Sequence, residues 1–232
     1  MGDRIPRWAP WAFGIPALAF FVGLALDLDA LRLVTKPIPV LVLAGVVLAA
    51  RPPIRYRTFI GVGLVFGATG DVLLELGSFV PGLLAFLVGH LWYLAAMWGV
   101  DRRLSPGTAI PFAAWGVGLT VALADGAGDL LVPVAVYATV LCVAMWRGGS
   151  LLGSGIPRPA ALATFAGLVA FGASDSLIAI DRFGPAVPGG RWAIMLSYWA
   201  AQALIARGAL LVDGERPGPD TAAVPTRPGR PG

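Results

Sequence analysis

Cysteine and histidine occur once each in this 232-residue chain, as Cys142 and His90, and only 13% of the residues are charged. One cysteine admits no intramolecular disulfide, so packing alone must hold the fold, and a structural thiol is the default role for Cys142 in its apolar run. A zinc site built around one histidine and one thiol would have to rely mostly on carboxylates, which suit zinc poorly, so no metal and no cofactor is expected. The G-x-S-x-G elbow of a serine hydrolase is also missing, and nothing marks Ser174 or Ser176 as a nucleophile.

Charge at about half the level of an ordinary soluble domain goes with 57% hydrophobic residues and a mean hydropathy of +0.79. The chain reads as a polytopic membrane protein. Its net charge of +4 comes from basic residues scattered among short loops, which argues for topology signals and against nucleic acid as a partner. Arg4 and Arg7 before an apolar run mimic a signal peptide, yet no small-x-small cleavage site follows Leu26, so that run is expected to be the first span.

Apolar stretches of membrane-spanning length fall at 9–27, 34–50, 58–76, 79–99, 108–125, 129–147, 159–180 and 192–212, which predicts eight transmembrane helices over residues 1–212. Residues 213–232 are mostly Pro, Gly, Arg and Asp, with almost nothing to bury, and are expected to form a disordered cytoplasmic tail. An even number of spans puts both termini on one side. Of the 17 Lys and Arg, only Arg32, Lys36, Arg182 and Arg191 fall on the other side, so the termini are expected in the cytoplasm and the protein in the cell membrane. F-G-A-T-G-D-V-L-L at 66–74 resembles F-G-A-S-D-S-L-I at 171–178, which suggests two parallel repeats of four helices.

Ionisable groups inside such spans are expensive and need a reason to be there. Counting about 1.5 Å per helical residue, Asp71 and Asp175 both lie about 9 Å below the outer face, His90 and Gln202 about 16 Å, and Tyr198 about 10 Å. His90 and Tyr93 are spaced i, i+3, and Tyr198 and Gln202 i, i+4, so each pair shares a helix face. Two such faces and two carboxylates could line one outward-opening cavity, with nothing comparable in the inner half. Interhelical hydrogen bonding is the plainer reading of Tyr93, Tyr198 and Gln202, and a packed histidine donating to a carbonyl the plainer reading of His90. Lys36, at the mouth of the second span, either snorkels to head groups or binds phosphate. Glu75, Asp27, Asp29, Asp125, Asp129 and Asp181 lie at span ends or in loops and are expected to be solvated.

T-K-P at 35–37, G-D-x-x-L at 70–74, G-H-L-W-Y at 89–93, S-D-S at 174–176 and S-Y-x-x-A-Q at 197–202 together resemble the YhhN-like lysoplasmalogenase family, over nearly the whole membrane region. The resemblance implies an eight-helix membrane enzyme that hydrolyses the vinyl ether bond of lysoplasmalogens, with a lysophospholipid substrate drawn from the membrane. That chemistry needs a proton delivered to carbon, an oxocarbenium-like cation and then water. Paired carboxylates divide such work in glycosidases. Asp71 and Asp175 are the expected pair, with His90 orienting water or relaying protons. Tyr93, Tyr198 and Gln202 would hold the substrate's polar backbone, and Lys36 would meet its phosphate. A proton- or cation-coupled transporter using Asp71, His90 and Asp175 as a relay is the alternative.

Overall fold

Proline stands at the second position of four helices, as Pro10, Pro39, Pro111 and Pro159. The backbone N–H that proline lacks has no helical partner there in any case, and its fixed φ suits a helix start. The computed structural model describes residues 5–103 and 106–212; the expected tail at 213–232 lies outside the described residues. The described residues form α1 (Ala9–Ala25), α2 (Asp29–Thr35), α3 (Ile38–Ala49), α4 (Arg55–Glu75), α5 (Phe79–Val100), α6 (Ile110–Ala122), the single turn α7 (Ala124–Ala127), α8 (Leu131–Ser150), α9 (Arg158–Phe183) and α10 (Gly190–Leu211). No strand occurs among the described residues.

Six helical stretches are long and apolar enough to cross a membrane: Asp29–Ala49, which joins α2 to α3, then α4, α5, the stretch Ala124–Gly153 containing α8, α9 and α10. The chain is therefore a multi-pass membrane protein. α1, with 17 residues, and α6, with 13, are shorter apolar helices. The second span begins at Asp29 rather than at 34, and it breaks at Lys36 and Pro37. Pro37 and Pro39 cannot donate to the carbonyls four residues earlier, so the ladder lapses there and Lys36 sits at the joint.

α4 packs on α5 and α3, α9 on α10 and α8, and α10 crosses to α3 and α4. Small residues allow these close approaches. A Cβ on Gly70 would lie 2.6 Å from the ring of Phe86, and one on Gly67 2.7 Å from Gln202 Nε2, so a side chain at either position would force its neighbour to shift. Outward-facing Trp11, Leu18, Ile110, Val132 and Leu196 are more than half exposed, as suits side chains that meet lipid rather than water.

The turn from α4 to α5 is short because Gly77 takes a φ of +78°. Gly77 N–H donates to Leu74 O at 3.0 Å and Ser78 N–H to Leu73 O at 2.9 Å, the paired bonds of a Schellman cap. At the far end of the bundle, Arg57 is buried and donates to Ala209 O at 3.2 Å and to Val212 O at 2.8 Å, while Arg147 is fully buried and donates to Asp101 O and Arg103 O. Both arginines, expected among the loops, are buried instead. Carbonyls at and beyond helix C-termini have no intrahelical donor, and a guanidinium satisfies several at once.

Candidate active site

The glycines of α4 let α10 approach closely enough for four polar side chains to join in one buried chain. Tyr93 Oη donates to Gln202 Oε1 at 2.8 Å, Gln202 Nε2 donates to Tyr198 Oη at 3.2 Å, and Tyr198 Oη donates to Asp71 Oδ2 at 2.9 Å. All four residues are at most 4% exposed. Every side-chain proton in this series runs toward the carboxylate, so α5, α10 and α4 are tied together by bonds that share one direction. Such a network is valuable only when complete, since a buried polar atom left unpaired costs about 1–3 kcal/mol.

His90 lies one turn below Phe86 on α5. Its Nδ1 is 2.8 Å from Phe86 O, a pairing that places the hydrogen on Nδ1 and leaves Nε2 as a lone-pair acceptor. Nε2 is buried and has no hydrogen-bond partner among the described residues. The imidazole is packed edge-to-face against Phe171 at 4.5 Å, and against Tyr93 and Tyr137 at 5.8 Å each. It therefore touches one residue from the Asp71 network and one from the surroundings of Asp175.

Asp175, on α9, is partly buried and accepts a hydrogen bond from Tyr137 Oη of α8. It borders two small cavities of about 60 and 50 Å³, enough for a water or two. Asp71 borders neither. No hydrogen bond joins the two carboxylates among the described residues, and the rings of Phe86, Phe171 and Tyr198 pack on one another at 5.4–6.0 Å in the same region. Of the flanking serines, Ser174 donates to Ile194 O at 3.0 Å, and Ser176 accepts from Trp115 Nε1 at 3.0 Å.

Above this lies a charged cluster. Glu75, expected to be solvated, has a side chain only 7% exposed and accepts from Lys36 Nζ at 3.0 Å, Arg32 Nε at 3.0 Å and Arg191 Nη2 at 2.9 Å. It is buried because α2 and α10 close over the last turn of α4, and three cations offset the loss of water. Lys36 neither snorkels outward nor stands free: it is 8% exposed and paired to Glu75. Lys36, Glu75, Arg182 and Arg191 border a cavity of about 300 Å³.

The fold thus unites Tyr93, Tyr198, Gln202 and Asp71, sets His90 beside Tyr93, and holds Asp175 with a different tyrosine. Tyr137, Trp115, Glu75, Arg32 and Arg191 were not anticipated at the site. Tyr137 did carry a signal, a hydroxyl in the middle of an apolar run. Among the described residues, no three His, Cys, Asp or Glu side chains gather as metal ligands would.

Comparison with known proteins adds a separate line of information. Residues 31–209 match the sequence model of the YhhN family. Lysoplasmalogenase TMEM86B of Homo sapiens is 35% identical over 177 residues, spanning 75% of this chain and 74% of that protein. The lysoplasmalogenase of Mycobacterium tuberculosis (strain CDC 1551 / Oshkosh) is 32% identical over 251 aligned positions, spanning 97% of this chain and 88% of its own. Lysoplasmalogenase TMEM86A of Homo sapiens is 38% identical over 162 residues, 66% of this chain and 65% of that protein. No solved structure matches at a significant level.

Proposed function

This chain belongs to the YhhN family, and on that premise we propose that it is an integral membrane hydrolase that cleaves the vinyl ether bond of lysoplasmalogens to a fatty aldehyde and a glycerophospho-base. The observation that carries the proposal beyond kinship is the pair of carboxyls inside the bundle, each held by a tyrosine hydroxyl, with one imidazole touching both surroundings. A vinyl ether becomes labile once its outer alkene carbon takes a proton. One carboxyl donates that proton, and the other, ionised, favours the oxocarbenium that forms. Water adds to the cationic carbon and gives up a proton, for which Nε2 of His90 is the proposed acceptor. The resulting hemiacetal passes its hydroxyl proton to the carboxylate left by the first step while its glycerol oxygen takes the imidazolium's proton, so the carbon–oxygen bond breaks to aldehyde and alcohol with both groups restored.

Tyr93, Gln202 and Tyr198 fix Asp71 in place and, bordering none of the cavities that Asp175 or Lys36 borders, act through that carboxyl rather than on the glycerol backbone, while Lys36 faces the phosphate from the cavity beside Glu75. In this reading residues 1–212 form one transmembrane domain of eight crossings, α1 and α6 included, with the termini cytoplasmic and the site open to the outer side. The loop arginines support that orientation. The helix contacts also suit two parallel four-helix halves: α4 packs on α5 as α9 packs on α10, and α3 on α4 as α8 on α9.

The deciding experiment measures aldehyde release from lysoplasmalogen by purified wild type, Asp71→Asn and Asp175→Asn. Each substitution is expected to lower turnover by about 10²–10⁴-fold, the range of general acid–base contributions. Near-normal turnover in either variant would end the paired-acid mechanism. Absence of aldehyde from the wild type, with proton or cation flux in reconstituted vesicles, would replace the hydrolase by a transporter.

A further inference from the structure

Positive residues are sorted to one side of a membrane protein by insertion, so those on the other side are the ones that need a local reason. In this chain they are Arg32, Lys36, Arg182 and Arg191, and the fold brings them to one place. Three of them meet on Glu75, and Lys36, Arg182 and Arg191 border the cavity of about 300 Å³. Cations serving topology alone would have no cause to converge. Leu74, Phe79 and Ile178 of that cavity also border the small cavity that reaches Tyr137 and Asp175. Ile178 is three residues beyond Asp175 on α9, about 4.5 Å of rise, so the basic cavity stands within a glycerol's length of the carboxyl.

The series continues on the other side of Asp175. The same carboxyl and Tyr137 border a second small cavity between α6, α8 and α9, and this one shares Gly116, Thr120, Ala138 and Cys142 with a groove of about 360 Å³ between α6 and α8. The groove is lined by apolar and small side chains such as Phe112, Val117 and Val143. Its size and that of the basic cavity fall within the range of small-molecule sites. Asp71 borders none of the four spaces.

We propose that these four spaces form one track for a single-chain amphiphile: its phosphate lies against Lys36, Arg182 and Arg191, its labile bond beside Asp175, and its hydrocarbon chain along the α6–α8 groove. This rests on the hydrolase reading and adds to it. Asp175 is the carboxyl that touches the substrate, and Asp71 acts from behind the packed rings of Phe86 and Phe171. Charge at one end, apolar lining at the other and a carboxyl at the junction match the order of groups in a lysophospholipid. A bystander membrane lipid would match the groove alone.

Two measurements on the full chain test the track. In the first, Ala138→Trp fills the groove where it meets the smaller cavity, and kcat/KM is measured with alkenyl chains of decreasing length. The ratio of long-chain to short-chain kcat/KM is expected to fall by about tenfold or more; an unchanged ratio overturns the track. In the second, which needs neither turnover nor a bulky variant, wild-type Cys142 is alkylated with N-ethylmaleimide in detergent. The competitors are a non-cleavable alkyl lysophosphoethanolamine, the phosphate-free alkylglycerol and a fatty acid of the same chain length. The lysophospholipid is expected to protect at the lowest concentration, by about tenfold over the other two, and Arg191→Ala to remove that advantage. Equal protection by all three makes the groove a lipid bystander site and overturns the proposal. If aldehyde release fails in the wild type while phosphate-selective protection holds, the hydrolase reading falls and the track stands.

Discussion

The ring of His90 stands 5.8 Å from that of Tyr137, edge to face, and Tyr137 gives its hydroxyl hydrogen to Asp175. The same imidazole is 5.8 Å from Tyr93, the first donor in the series that ends on Asp71. One histidine therefore adjoins two carboxyl environments that, among the described residues, share no hydrogen bond.

Tyr137→Phe removes the phenol that holds Asp175, and Tyr198→Phe removes the one that holds Asp71. A hydrogen bond is worth about 0.5–1.5 kcal/mol to a neutral group and about 1.5–3 kcal/mol to a charged one, so the variants are expected to lose between about threefold and hundredfold in kcat for aldehyde release, the larger loss marking the ionised carboxyl. KM should change less, because the substituted ring keeps its packing. A pure KM effect in either variant would show that the tyrosine serves binding rather than the carboxyl.

Gly67→Ala is a test of how tightly the Asp71 network is enclosed. The added Cβ would sit 2.7 Å from Gln202 Nε2 and 3.3 Å from Tyr198 Oη, so one of them must move. Destabilisation by about 1–3 kcal/mol is expected, read as a lower melting temperature in detergent. An unchanged melting temperature and full activity would mean that α4 and α10 separate easily.

Glu75 and Arg191 form one ion pair with unequal burial, 7% against 49% side-chain exposure. Glu75→Gln leaves Lys36 buried without its carboxylate, while Arg32 keeps Asp29, and is expected to cost about 3–5 kcal/mol. Arg191→Gln, at the exposed side, is expected to cost less than about 1 kcal/mol. Thermal unfolding of the two variants in one detergent gives the comparison, and equal losses would show that Glu75 is far less committed to its partners.

Hydropathy made most of the helices legible because lipid leaves backbone groups no partner but their own segment, so apolar runs of spanning length must be helical. The shared faces of His90 with Tyr93 and of Tyr198 with Gln202 followed from helical period. The break at Lys36 was harder to read, because prolines near a helix start usually begin a helix rather than divide one.

Sequence alone determined that this chain crosses the membrane as helices and that a few polar residues lie deep among apolar ones, since both depend on local composition along each segment. Which helices become neighbours was decided by packing around the α4 and α10 glycines, and no single-segment pattern records it. That neighbourhood closed α2 and α10 over Glu75, assigned Asp71 to Tyr198 and Asp175 to Tyr137, and gathered three scattered cations at one cavity. Burial and partnership are properties of the surroundings, and the surroundings exist only once the helices have packed.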